Sequence, residues 1–532
     1  MDSQSRLSPE PWSRLSEAEI WTRLRGFYQG ASRQAFQPGG IPFQITSNPT
    51  ISHAYASMAA SWIGDWHQSS QHQPRGIDPQ QPIYILELGP GTGQFTFLFT
   101  QDLRRILECK RIGHLRSRHI CADLGPLLLN DIAEHEKMGP LAADGLLDFA
   151  IFDATNPQAP FLLRAQQTLT SEDVVNPLIV IANYFLDSLP QDCFTMRRGL
   201  LYESMVQMSG EPGQAARMHY EQRPAVTPYY HDTELDSILD ACRRRDEGVI
   251  LFPIAGLKLL QWLWHFAGGR LLLLVADKGH YSAPELAYPA IEYHADNCIS
   301  MMVYFRAIEE FWVKRGGQYH SAYREGTFLT FAAAEAGLEC GESIGFAQSF
   351  NDHVVDHTSE DWDILSWRAV RDAHLYSAAE ILACMRLSRW DPAVFRDFFP
   401  ALFRRLAGIS ESEKAQVKEA IQRSLDRYYH LGEIPDLVFK GASVLYELGT
   451  YAEALALFEK SRKLNGPLPA TNFQIGRCLY RLGKKTEALE EIHAALDAEP
   501  NFEDYLVGMG IISERRAVEL AARIEWEISL LV

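Results

Sequence analysis

The sequence predicts an α/β fold, a doubly wound and mostly parallel sheet, followed by an all-α helical domain. Three observations carry this. From Ile83 onward short apolar, β-branched runs alternate with helical patterns, the rhythm of a parallel sheet covered on both faces. The run Ile83-Tyr-Ile-Leu-Glu-Leu-Gly-Pro-Gly-Thr-Gly-Gln-Phe95 joins a strand, an acid and alternate glycines to a helix, which is the nucleotide corner of such a sheet. Beyond about Val370 strand signals give way to Leu, Ala, Arg and Glu in helical periodicity.

A chain of 532 residues exceeds what one core usually supports, so two or three domains are expected. The expected division is a helical region over 1–80, an α/β domain over 81–350 with a helical or hairpin insert at about 194–266, and a helical domain over 370–532. The formal net charge of −18 argues against non-specific nucleic-acid binding, which needs clustered cations. No stretch approaches the ~20 apolar residues that span a bilayer. The N-terminus, Met-Asp-Ser-Gln-Ser-Arg-Leu-Ser-Pro-Glu, lacks the apolar core of a signal peptide. Eight scattered cysteines without a C-x-x-C pair predict neither a zinc site nor a disulfide framework, and a reducing, cytoplasmic compartment.

Residues up to about Trp66 read as helical, with one extended insert from Ile41 to Ser52, and polar Gln68 to Gln81 reads as a linker. Strands are expected at Ile83 to Leu88, His119 to Asp123, Leu147 to Asp153, Leu178 to Asn183 and Leu271 to Ala276. A hairpin is expected between Phe194 and Arg223, then largely helical chain from Leu235 to Phe266, broken near Phe252-Pro253.

The first strand carries Glu87 near its end, Gly89, Gly91 and Gly93 follow, and Phe95 to Ile106 reads as a helix. Glycines there let backbone N–H groups and a helix N-terminus approach a ligand that side chains would obstruct. A dinucleotide fingerprint would read G-x-G-x-x-G. The order Gly-Pro-Gly-Thr-Gly after an acid instead resembles motif I of class I S-adenosylmethionine (SAM) methyltransferases, E/D-x-G-x-G-x-G, which have a Rossmann-like fold. That resemblance implies S-adenosyl-L-methionine as cofactor, Glu87 near its methionine amino end, and the glycine turn beneath its ribose. The turn holds no phosphate-binding lysine, and SAM has no phosphate to need one.

An acid ending the second strand can accept from both ribose hydroxyls of an adenosine cofactor, which makes Asp123 the candidate. Asp153, followed by Ala154, ends the third strand, where the resemblance implies an acceptor for the adenine amino group. Leu178-Ile-Val-Ile-Ala-Asn183-Tyr-Phe-Leu-Asp187-Ser-Leu-Pro190 ends a fourth strand at the ligand crevice. There the amide oxygen of Asn183 is expected to accept from a substrate N–H and align the nitrogen lone pair, with Asp187 helping to position the acceptor. Tyr184 and Phe185 are expected to wall the site and attract a cationic group. His53, His280 and His294 show no metal spacing, and no metal site is expected. His280, beside a strand end, is a candidate general base.

Taken together, Ile45-Thr-Ser-Asn-Pro-Thr-Ile-Ser52, the glycine run, Asp123-Leu-Gly-Pro126, Asn183-Tyr-Phe-Leu-Asp-Ser-Leu-Pro190 and Leu271-Leu-Leu-Leu-Val-Ala-Asp-Lys-Gly279 resemble the MidA-like SAM-dependent methyltransferase family. The resemblance covers roughly residues 25 to 345. Its known members include a methyltransferase of protein arginine. Three positions depart from its pattern: Tyr184 replaces the acid after the asparagine, Asn48-Pro49-Thr50 replaces Pro-Glu, and Lys278 replaces the tyrosine of Asp-Tyr-Gly. A carboxylate after the asparagine would be the natural partner of a guanidinium.

In the helical part, Ala442, Leu445, Gly449, Ala454, Phe458, Ser461 and Gly466 line up with Gly476, Leu479, Gly483, Ala488, Ile492, Ala495 and Pro500 at one constant offset of about 34 residues. That is the period of a tetratricopeptide (TPR) helix pair. Leu402 to Gly432 is expected to add a degenerate pair, and Asn501 to Leu531 a cap. The function expected is methyl transfer from SAM to a nitrogen, with oxygen as second choice, of a peptide or protein acceptor recruited partly by the TPR-like region. The alternatives are a biosynthetic small-molecule methyltransferase or a non-catalytic SAM-binding scaffold. Homo-oligomerisation through the helical domain is a further possibility.

Overall fold

The computed structural model describes residues 11–36, 40–69, 76–209, 217–245, 247–282, 291–293, 299–322, 329–338 and 343–499. The chain divides into two compact units, Met1–Asp363 and Ile364–Val532.

The strands of the first unit used below are β1 (Ile83–Leu88), β2 (Ser117–Asp123), β3 (Leu147–Ile151), β4 (Leu178–Asn183), β5 (Asp192–Arg197), β6 (Leu200–Ser209), β7 (Arg217–Pro224), β8 (Gly248–Phe252), β9 (Leu271–Asp277), β10 (Gln318–Ala322) and β11 (Thr330–Ala336). A seven-stranded sheet runs β10-β11-β9-β4-β1-β2-β3. The five strands from β9 to β3 are parallel, and the β9–β11 and β11–β10 pairs are antiparallel. The order turns back at β1, flanked by β2 and β4, and a crevice opens at such a reversal outside the carboxyl ends of the strands.

Side-chain alternation divides each central strand between two cores. Tyr84, Leu86 and Leu88 join Val180, Leu273 and Val275 on one face. Ile83 and Ile85 join Ile179, Ile181, Leu272 and Leu274 on the other. Both faces are covered, which is why the strands read as unbroken apolar runs.

Helix α1 (Glu19–Gly30) and helix α2 (Pro49–Ser69) precede the sheet, and α3 (Gln94–Cys109) follows the glycine turn. The extended insert expected over Ile41 to Ser52 is in part helical, because α2 begins at Pro49. Asn48 Oδ1 accepts from the N–H groups of Thr50 and Ile51 at 3.0 and 3.1 Å, and Pro49 occupies the first turn, where its missing N–H costs nothing. The described helix of this region joins the sheet: α2 packs on α3 and contributes Tyr55, Trp62 and Trp66 to the core of one sheet face.

The hairpin foreseen near Phe194 is larger than expected. Strands β8-β5-β6-β7 form a second, antiparallel sheet, so Gly248–Phe252 is a strand within the stretch read as helical. Its run Val249-Ile-Leu-Phe252 is buried throughout and pairs with β5. Strand β11 was also unforeseen. Its sequence Thr-Phe-Ala-Ala-Ala-Glu-Ala favours helix, but every residue is buried between β9 and β10, and pairing overrides propensity.

Helix α4 (Pro126–Ala133) follows β2. In the second unit, helix α5 (Glu411–Arg427) precedes α6 (Leu437–Glu447), α7 (Tyr451–Asn465), α8 (Pro469–Arg481) and α9 (Lys485–Ala498). Helices α6 and α7 make one hairpin and α8 and α9 a second, and α7 packs on α8. Gly449 and Gly483 adopt φ of 81° and 82° at equivalent helix ends, a conformation costly for any residue with a Cβ. Ala442, Ala454 and Ala488 are fully buried. A Cβ on Gly476 would lie 2.7 Å from Ile492 Cγ1 and 3.0 Å from the Ala488 carbonyl, so glycine lets α8 and α9 approach. Ala420 of α5, the register position of the degenerate pair, is fully buried. The cap expected over Asn501 to Leu531 lies outside the described residues, as do Pro500, His294, Cys298 and Cys340.

Candidate functional site

A cavity of about 330 Å³ opens at the carboxyl ends of β1 to β4. That is the size of a small-molecule site, at the place an open α/β sheet offers one. Glu87, Gly89, Gly91, Asp123, Asp153, Ala154, Asn183 and Tyr184 all line it. Gly93 and Asp187 do not.

Backbone conformation explains the glycines. Gly89, Gly91 and Gly93 have φ of 66°, 54° and 81°, each in the region that L side chains avoid. At Gly89 a Cβ would stand 2.9 Å from Phe185 Cδ2, so the turn after β1 and the turn after β4 touch across this position. Gly93 is the N-cap of α3, which places it behind the cavity wall.

Glu87 is buried at the end of β1. Its Oε2 accepts from Thr96 Oγ1 at 2.6 Å and lies 2.7 Å from His119 Nε2 of β2. A carboxylate cannot donate, so His119 carries its proton on Nε2 and can accept from Thr100 Oγ1 at Nδ1, 3.4 Å away. Glu87 Oε1 makes no hydrogen bond among the described residues and is the atom left for a ligand. Cys121 Sγ lies 3.6 Å from Thr96 Oγ1, and burial, reinforced by Glu87, pushes its thiol well above the usual range. Glu87, His119 and Cys121 offer ligand atoms within 4.8 Å of one another, a cluster that no sequence spacing shows. The 2.7 Å contact between two of them is a hydrogen bond.

Asp123 Oδ1 accepts from the Gly125 N–H at 2.8 Å. Burial raises its pKa to about 6, against backbone hydrogen bonds from Gly125 and Leu124 that lower it. The N-cap of α4 is Gly125, without a side-chain bond, so Asp123 is not held there as a helix cap.

Asp153 is already engaged. Oδ1 accepts from the N–H and hydroxyl of Thr155 at 3.0 and 2.7 Å, and Oδ2 lies 2.7 Å from Arg25 of α1. Burial works to raise its pKa, but the Thr155 and Arg25 contacts win and hold it below the ordinary carboxylate value. The carboxylate expected to face an adenine amino group is thus also the anchor of Arg25, a lining residue that the sequence did not single out.

Asn183 corrects the chemistry expected of it. Its Oδ1 accepts from Tyr55 Oη at 2.9 Å and from the Ala276 N–H at 3.2 Å. The Ala276 amide can only donate, which fixes the orientation of the side chain. The amide oxygen is therefore taken by the protein, and Nδ2, which bonds nothing among the described residues, is what Asn183 presents. It is a donor, not the acceptor expected for a substrate N–H.

Tyr184 has a φ of 47°, unusual for a bulky residue, and its ring lies 6.0 Å from Lys278 Nζ. Its cationic neighbour is thus within the protein. The turn is held by Asp277, fully buried at the end of β9, whose Oδ2 accepts from the N–H groups of Phe185, Leu186 and Asp187 at 3.1, 2.7 and 3.2 Å. Burial, then the nearby Asp187, pushes the Asp277 carboxyl well above the ordinary range.

Asp187 does not face the main cavity. It lies 3% exposed in a satellite cavity of about 20 Å³, shared with Tyr28, Tyr184, Ser188, Lys278 and Ser300. The side chain folds under the turn because Ser188 Oγ donates to its Oδ1 at 2.9 Å. His280 is not at the site either. It lines neither cavity and packs its ring 5.8 Å from that of Tyr304.

Tyr55, Asp277, His119, Arg25 and Tyr28 were missed as site residues. Asp277 and His119 had a local signal, polar residues within apolar strands. Tyr55 lies just beyond the Ile45–Ser52 motif in α2, and Arg25 and Tyr28 sit in α1, which carries none.

The cavity joins acids at three successive strand ends to a glycine-rich turn. No protein-family model and no curated protein matches the chain. Among solved structures, the chain is similar to a COG1565 superfamily member from Burkholderia thailandensis bound to S-adenosyl-homocysteine. The identity is 15%, covering 63% of this chain and 91% of that one, with a TM-score of 0.39. A native crystal structure of an uncharacterized COG1565 superfamily protein from the same organism matches at 14% identity, covering 63% and 90%, with a TM-score of 0.38. No helix among the described residues is long and apolar enough to cross a membrane.

Proposed function

We propose that the first unit is a SAM-dependent methyltransferase. The observation that carries this is the meeting of Glu87, Asp123, Asp153 and the positive-φ glycine turn on one cavity at the reversal of strand order. The residues fit the cofactor: Glu87 Oε1 is left for an ammonium, the positive-φ glycine turn brings backbone to the cavity wall, and Asp123 would accept from ribose hydroxyls. Asp153 and Ala154 would close the adenine end, with Arg25 holding the Asp153 carboxylate. When bound, SAM supplies a methyl group on a sulfonium that already provides the leaving group. What the chain must add is alignment, and Asn183 and the Asp277-held turn are the rigid parts available for it.

Two acceptors are supported by different observations. The paired helices repeating at a 34-residue offset support a TPR-like second unit that recruits a peptide or protein, or self-associates. The aromatic and uncharged wall of the cavity supports a small-molecule acceptor.

Calorimetric titration with SAM and S-adenosylhomocysteine tests the reading directly. Both should bind, and labelled SAM should transfer its methyl to a polypeptide or metabolite fraction of a lysate. Failure of both nucleosides to bind would remove the proposal. Binding without transfer to any fraction would favour a SAM-binding scaffold.

A further inference from the structure

The half of the cavity beside β4 differs in kind from the half beside β2 and β3. The turn after β4 lines it with Tyr184, Phe185, Leu189 and Pro190, and Tyr28 lies against Ser188 of the same turn. The cavity's carboxylates, Glu87, Asp123 and Asp153, all come from the ends of β1 to β3. Of these only Glu87 stands on a strand that pairs with β4, and it is assigned to the cofactor's ammonium, so a cationic acceptor would have no carboxylate of its own, and desolvating an unpaired charge is costly.

A chain of hydroxyls leads out of this half. Tyr28 and Ser188 line both cavities, and their oxygens are 3.4 Å apart. Ser188 Oγ donates onward to Asp187 Oδ1 at 2.9 Å, so its one proton is used and the Tyr28 hydroxyl must donate to Ser188. The direction is set: from the cavity, through two hydroxyls, to a buried carboxylate. Asp187 faces Asp277 behind the turn and shares the satellite cavity with Lys278 and Tyr184, so one ammonium offsets two neighbouring acids.

Resting on the methyltransferase reading, we propose that the acceptor is an uncharged hydroxyl on an aromatic or apolar body, methylated on oxygen, with Tyr28, Ser188 and Asp187 as the path for its proton. A hydroxyl acceptor needs that path, because its proton must leave as the ether forms. The oxygen lone pair forms the new C–O bond while the methyl–sulfur bond breaks, and that electron pair remains on sulfur as a neutral thioether. The hydroxyl proton passes to Tyr28, the Tyr28 proton to Ser188, and the Ser188 proton to Asp187, whose carboxylate becomes the acid. Asn183 Nδ2, a donor, can bond a second lone pair of the acceptor oxygen and so orient it, whereas it cannot accept from an acceptor N–H.

The shared chemistry, a phenol, could come from a free small molecule or from a tyrosine side chain. The test uses the full chain saturated with S-adenosylhomocysteine, titrated by calorimetry with 4-butylphenol, 4-butylaniline, agmatine and an N-acetylated, amidated Gly-Tyr-Gly peptide. The phenol or the peptide should bind at least ~10-fold tighter than the aniline and agmatine, as expected when polar complementarity discriminates. The tighter of the two identifies the source. With labelled SAM the product should be an ether. Ser188→Ala should bind that probe within about threefold yet transfer ~10²-fold more slowly at neutral pH, and alkali should restore the rate by ionising the phenol beforehand. Tyr28→Phe should behave alike. Tighter binding of agmatine or the aniline, an N-methylated product, or a Ser188→Ala rate defect independent of pH would overturn the proposal. If S-adenosylhomocysteine itself does not bind, the methyltransferase reading fails first and this one with it.

Discussion

Tyr55 of α2 donates its hydroxyl to Asn183 Oδ1 at 2.9 Å, across the top of the sheet. The Ala276 N–H, which can only donate, shares that oxygen, so the two bonds together leave Nδ2 as the unused end of the amide. Burial, with Asp277 nearby, keeps the Tyr55 phenol well above its ordinary pKa, so it remains a donor.

Tyr55→Phe should cost about 1–2 kcal/mol of stability through loss of a buried hydrogen bond. SAM binding should stay within about threefold, because no cofactor contact is assigned to Tyr55. Asn183→Ala should likewise spare binding but lower turnover ~10²-fold, as expected for an aligning group. Denaturant melts with single-turnover rates separate the two effects.

Asp123 links the site to pH. Its folded pKa of about 6 lies above the unfolded value near 3.8, so the folded chain holds the proton more tightly. This group's contribution to stability therefore falls as pH rises from about 4 to 6, by about 3 kcal/mol at most. Asp123→Asn should stabilise the protein near neutral pH and remove that dependence, yet weaken SAM binding. Chemical denaturation at pH 4.5 and 7.5, with calorimetry at the higher value, checks both signs.

Glu87→Gln keeps an oxygen for Thr96 and His119 but removes the charge offered to an ammonium. It should fold and lose about 10²-fold in SAM affinity, in keeping with a charge-assisted contact. Equal affinity for variant and parent would place the amino end of the ligand elsewhere.

Gly89→Ala combines a positive φ with a Cβ 2.9 Å from Phe185. A stability loss of roughly 1–3 kcal/mol is expected from strain and overpacking, with loss of SAM binding. Adding Phe185→Ala should recover part of the stability, since it relieves the clash but not the backbone strain.

Gly476→Ala tests the helical pairs. A Cβ 2.7 Å from Ile492 and 3.0 Å from a backbone carbonyl should destabilise the second unit by about 1–3 kcal/mol. SAM titration should be unchanged, because every proposed cofactor residue lies in the first unit. Limited proteolysis of the second unit reports the first effect.

Much of the fold was legible. The five parallel strands were read within one or two residues of their ends, because each is an apolar run bounded by turn residues. Strands β8, β10 and β11 were not: β8 and β11 pair with β5 and β9, distant in sequence, and β10 is held only through β11. At the site, the glycines were legible because only glycine holds those backbone angles cheaply. Asp187 misled because a carboxylate next to the motif turned under it, drawn by Ser188 and the Asp277-held backbone.

The sequence by itself determined the strand, acid and glycine corner, the parallel sheet and the 34-residue helical offset. All of these rest on periodicity or on local backbone demands that nearby residues satisfy. Only the tertiary structure decided which polar atoms the cavity presents. Tyr55 is 128 residues from Asn183, Tyr28 is 160 from Ser188, and Asp277 is 90 from the Asp187 amide it holds. Hydrogen-bond partners so far apart leave no local pattern, and such partners turned Asn183 from an acceptor into a donor.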